Sequence, residues 1–72
     1  MEQEYIDVYN KMPKAVQRNI SLYKEGYNNY RPNVNQAHIW ILQARAYTFA
    51  LHDVGFVTDA ERKSLLRYVI GD

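Results

Sequence analysis

Seventy-two residues, 47% of them apolar and 24% charged, describe one small globular domain and leave too little chain for two. Nine basic residues against eight acidic ones give a formal charge of +1, so no global charge steers the chain onto nucleic acid or a membrane. The lack of cysteine excludes disulfide stapling and thiolate metal sites.

The N-terminus, Met1-Glu2-Gln3-Glu4, is acidic where a secretory signal is basic. The longest uninterrupted apolar run is Ile39-Trp40-Ile41-Leu42, far short of the ~20 residues of a membrane span. A cytoplasmic protein is the expectation. A start methionine with no tag or low-complexity tail reads as a complete small protein.

Four helical segments are predicted. In the first, Tyr5, Val8, Tyr9 and Met12 recur at i, i+3, i+4 and i+7 and share a face. Pro13 ends it, since the residue before a proline is pushed out of the helical region, and proline suits the first turn of the helix that follows. The second segment carries the stripe Val16, Ile20, Tyr23 and Tyr27, with Lys14, Arg18, Ser21, Glu25 and Asn28 opposite. Gly26 has two readings. It caps the helix near Glu25, or it is tolerated at ~1 kcal/mol while the helix runs on toward Tyr30 and stops before Pro32.

The third segment, about residues 35–54, is the longest and most apolar. Asn33 with Gln36 three residues on predicts a capping box, with Asn35 as the competing N-cap. Trp40, Ala44, Tyr47, Leu51 and Val54 form one stripe, and Ala37, Ile41, Ala44, Thr48 and Leu51 form a second. Ile39, Ala46 and Ala50 fill another side, which leaves His38, Arg45 and His52 as a narrow polar strip. A helix apolar on nearly every side belongs in the middle of its structure. Gly55 suits a left-handed C′ position, with Phe56 expected to fold back on Leu51 in a Schellman motif. Thr58-Asp59-Ala60-Glu61 opens the fourth helix as a capping box, Leu65, Leu66, Val69 and Ile70 line it, and Gly71 stops it. The expected fold is all-α: one domain over 1–72, a compact bundle of three to four helices around the central helix at about 35–54, with a helical hairpin at 55–58.

Little in the sequence supports catalysis. There is no cysteine and no glycine-rich phosphate loop. No carboxylate pair has a helical spacing that shares an apolar face, and His52 and Asp53 point about 100° apart on a helix. The chain is read as a non-enzyme with no cofactor. His38 and His52 share a face but lie about 21 Å apart along it at 1.5 Å rise per residue, too far to share a metal ion.

Two binding surfaces emerge. Leu42 and Phe49 flank the His38–Arg45–His52 strip, so Leu42, Arg45, Phe49 and His52 form a candidate protein interface of apolar anchors with arginine and histidine. The competing reading has the N-terminal helix covering Leu42 and Phe49. The expected function is that of a small helical interaction module, with a second copy of the chain as one candidate partner, because dimerisation would bury surplus apolar surface. The alternative is weak nucleic-acid binding through Lys11, Lys14, Arg18, Lys24 and Arg31. These five cations face a single acid, Glu25, within 11–31, and tyrosines and asparagines are interleaved among them. Asp59 and Glu61 at the start of the last helix oppose a helix-turn-helix use of the Gly55 turn.

The stretch from Ala44-Arg45-Ala46-Tyr47 through Leu51-His52-Asp53-Val54-Gly55-Phe56-Val57-Thr58-Asp59-Ala60-Glu61-Arg62 resembles a helix–Gly–Thr-x-x-Glu–helix hairpin. Such hairpins occur in small accessory proteins of Gram-positive phages and mobile elements. The resemblance implies a helical fold and a phage or mobile-element origin, and no functional residue comes with it. Seven tyrosines, with frequent asparagine and isoleucine, agree with an AT-rich genome.

Overall fold

Four helices follow the punctuation of the chain: α1 (Glu2–Asn10), α2 (Lys14–Tyr30), α3 (Val34–Asp53) and α4 (Asp59–Ile70). The structure, a computed structural model, describes residues 2–71, with side chains over 4–71. No strand occurs among the described residues. The all-α bundle is as expected.

Each junction has a local cause. Pro13 stands at the N-cap of α2, one residue before its first turn, and its carbonyl accepts from Gln17 N at 2.9 Å. The Gln17 side chain turns back and donates to the Tyr9 and Asn10 carbonyls at 3.1 and 3.0 Å, filling acceptors that the end of α1 leaves open. Asn33, not Asn35, caps α3, its Oδ1 accepting from Gln36 N at 3.3 Å, so the cap rests on the Asn33 half of the expected box. At the other end of α3 the Schellman pair forms: Phe56 N donates to Leu51 O and Gly55 N to His52 O, each at 2.9 Å, with Gly55 at φ 77°. The Phe56 ring nevertheless stays exposed, and Val57 is the residue that enters the core. Val54, expected in a buried stripe, is the exposed C-cap of α3. Thr58 and Glu61 exchange both bonds of the capping box, and Gly71 closes α4 at φ 83°.

The core joins Val16 and Ile20 of α2, Ala44 of α3, Val57, and Leu65 and Val69 of α4. Tyr9, Tyr23, Tyr27, Tyr47 and Tyr68 pack around it, so tyrosine supplies bulk that a leucine-poor chain lacks. Tyr23 and Tyr47 meet edge to face at 5.7 Å, and Asn19 Nδ2 donates to the Tyr47 hydroxyl at 3.1 Å. Burial pushes the Tyr23 and Tyr68 hydroxyl pKa values up, with Tyr47 and Tyr9 respectively adding to the effect.

Gly26 lies inside α2, which continues through it to Tyr30. A Cβ at this position would fall 2.3 to 2.6 Å from ring atoms of Trp40, so the glycine lets α3 press its indole against the α2 backbone. Tyr30 stacks over the same indole at 6.5 Å.

The arrangement of helices differs from a central α3 wrapped by three neighbours. It is α4 that packs closely against all the others, while α3 packs on α2 and α4. α1 docks on α4: Tyr9 stacks on Tyr68 at 4.1 Å, Tyr5 meets Tyr68 edge-on at 6.5 Å, and Lys11 pairs with Glu61 at 3.1 Å. The Tyr9 hydroxyl also bonds Ser21 Oγ, which holds α1 against α2.

Candidate protein-interaction surface

With α1 committed to α4, one side of α3 has no helix over it. Ile39, Leu42 and Phe49 are 53%, 48% and 43% exposed, and the small, exposed Ala46 lies between the last two. Their spacing of three, four and three residues draws one apolar line along the helix, the a/d spacing that lets a second helix pack alongside. Leu42 and Phe49 were expected here. Ile39, Ala46 and Ala50, read from sequence as filling another side, belong to the same outward face. The 39–42–46–49 period was there to be read, but a helix with apolar residues on every side offers several such lines.

The four residues of the expected interface do not behave alike. Arg45 is exposed beside Leu42 and Phe49, whereas His52 is half-buried and its Nδ1 lies 3.1 Å from the Val57 carbonyl. His52 therefore helps to hold the Gly55 turn. Arg62, which the sequence reading missed, takes the place beside Phe49. Its guanidinium lies 4.2 Å over the ring, and its Nε and Nη2 donate to Asp59 Oδ1 at 3.1 and 2.9 Å. Lys63 adds a contact at 3.3 Å, and hydrogen bonds from Arg62 and then Lys63 hold the Asp59 carboxyl below its ordinary pKa. Only the i, i+3 spacing of Asp59 and Arg62 hinted at this pairing.

Two hollows flank the N-terminal turns of α3 on different sides, and the second of them includes Ile39 of the apolar line. One, of about 130 Å³, has Val34, Ala37 and Ile41 as apolar lining, with Tyr27, Arg31 and His38 completing it. The other, of about 260 Å³, is formed by Tyr30, Gln36, Ile39 and Trp40. No acidic residue occurs in the sequence from Pro32 to His52, so Arg31, His38, Arg45 and the half-buried His52 are the basic side chains along this edge before Asp53.

The basic segment gathers less well. Lys11 is paired with Glu61, and Lys24 Nζ donates to the Tyr68 carbonyl at 2.8 Å while lying 4.8 Å over the Tyr68 ring. Arg31 lies 5.8 Å over the Tyr27 ring. Lys14 and Arg18 are exposed, but on a helix Lys24 is turned about 120° away from Arg18. The five cations do not form one stripe.

Among the described residues no helix is long and apolar enough to cross a membrane. Compared with known protein families, curated proteins and solved structures, the chain shows no match.

Proposed function

We propose that the protein is an interaction module that works by binding another protein through the outward face of α3. The observation that supports this reading is the line of half-exposed Ile39, Leu42 and Phe49 around Ala46, edged by the exposed Arg45. Scattered single apolar residues are ordinary on a protein surface, whereas a contiguous line edged by arginine has the composition of interface cores. The reading needs no moving part, since binding to a preformed helix face occludes or recruits the partner directly. The proposal extends to an origin among phage or mobile-element accessory proteins, on the resemblance of the 44–62 hairpin, and the genes beside this one are the check. Nucleic-acid binding is the weaker reading, because Lys11 and Lys24 are engaged with Glu61 and the Tyr68 carbonyl.

The test compares wild type with a Leu42→Glu/Phe49→Glu double variant as baits in native extract, with sedimentation of both over a range of concentrations. The expected result is a protein, or a second copy, retained by wild type and lost by the variant. Identical captures and identical masses would refute the proposal.

A further inference from the structure

We infer that the occupant of this α3 face is an amphipathic helix of another protein, carrying acidic residues along the flank that meets Arg31, His38 and Arg45. The inference rests on the proposed interaction function and names the chemistry of its partner. Three features converge on it. The 39–42–46–49 line has the spacing of a helix-packing seam, and the hollow formed by Tyr30, Ile39 and Trp40 accepts an apolar side chain beside its first residue. The edge from Arg31 to Arg45 carries cations and a histidine with no carboxylate among them. The first turn of α3 also has no acidic residue to offset the positive end of its macrodipole, which adds to the positive charge near Arg31 and His38.

A second copy of the chain fits this face less well. An antiparallel copy centred on the seam brings Arg45 against Arg45. A parallel copy sets each Arg45 opposite Gln43 or Ala50, which supply no opposite charge. An acidic flank satisfies every cation of the edge at once. Asp53 at the C-terminal end, and Asp59 held by Arg62 and Lys63, confine the acid-seeking stretch to the N-terminal and middle turns of α3.

Two synthetic helical peptides test the inference. They share one Leu/Ile seam, and the flanking positions are glutamate in one and lysine in the other. Each is titrated by fluorescence anisotropy against the full chain at low and at high salt. The glutamate peptide is expected to bind at least about tenfold more tightly, with the gap narrowing as salt screens the flank charges. Arg45→Glu, on an exposed side chain, is expected to invert the preference while leaving the helical thermal melt unchanged. Equal binding of the two peptides, binding of neither, or a preference untouched by Arg45→Glu would overturn the inference. A partner captured by wild type and lost by Leu42→Glu/Phe49→Glu would still uphold the interaction function in those cases, so the two failures are separable.

Discussion

At the scale of single residues, Gly26 carries the tightest requirement. In a helix interior glycine costs about 1 kcal/mol relative to alanine, so helix propensity alone predicts that Gly26→Ala stabilises the protein. The Trp40 ring, 2.3 to 2.6 Å from where the methyl group would sit, reverses the sign. Gly26→Ala is expected to destabilise by about 1–3 kcal/mol, the usual cost of overpacking, in urea unfolding followed by Trp40 fluorescence. In a Trp40→Leu background, followed by circular dichroism, the same change is expected to become neutral or stabilising. A stabilised single variant would show that the indole moves aside at no cost. The sequence left Gly26 with two readings because the occupant of its missing side-chain volume belongs to another helix. Thr48 and Arg62 make a related point: both are buried polar residues, satisfied by the Ala44 and Arg45 carbonyls and by Asp59 respectively.

At the scale of elements, the start of α4 couples helix capping to the docking of α1. The Glu61 carboxylate accepts from Thr58 N at 2.9 Å and pairs with Lys11, and these contacts, the backbone bond first, hold its pKa below the ordinary carboxylate value. A group whose pKa is depressed by folding contributes stability above its unfolded pKa of about 4.3 and loses that contribution as pH falls through the folded value. Wild type is therefore expected to lose stability on acidification below about pH 4.3, with a shallower loss in Glu61→Gln, read from denaturant midpoints along a pH series. Parallel acid limbs would mean that the box and the Lys11 pair contribute nothing measurable. This element was legible in advance, because a capping box spans four consecutive residues and its chemistry is written in that order. The Lys11 partnership was not, since it requires knowing that α1 lies along α4.

At the scale of the molecule, the radius of gyration of 11.5 Å is close to the roughly 11 Å of a compact chain this long, and α1 is packed against α4. Its packing on α4 separates two kinds of apolar residue. Leu65 is fully buried, and Leu65→Ala is expected to cost about 2–5 kcal/mol. Leu42→Glu removes a side chain that is about half exposed, so its expected cost is about half of the 1.5–3 kcal/mol of full burial. Thermal and urea melts are expected to separate the two variants clearly. A Leu42→Glu variant as unstable as Leu65→Ala would mean that this face is covered within the fold.

By itself the sequence determined the four helices, their caps and the two glycine stops, because those depend on bonds between residues a few positions apart. It also established that α3 has more apolar surface than one neighbour needs. Only the tertiary structure decided which part of that surface faces outward, since α3 is apolar on several sides and no local rule ranks them. The decision lay with Tyr5, Tyr9 and Tyr68, whose rings bring α1 to α4 across almost the whole length of the chain and leave Ile39, Leu42 and Phe49 in solvent.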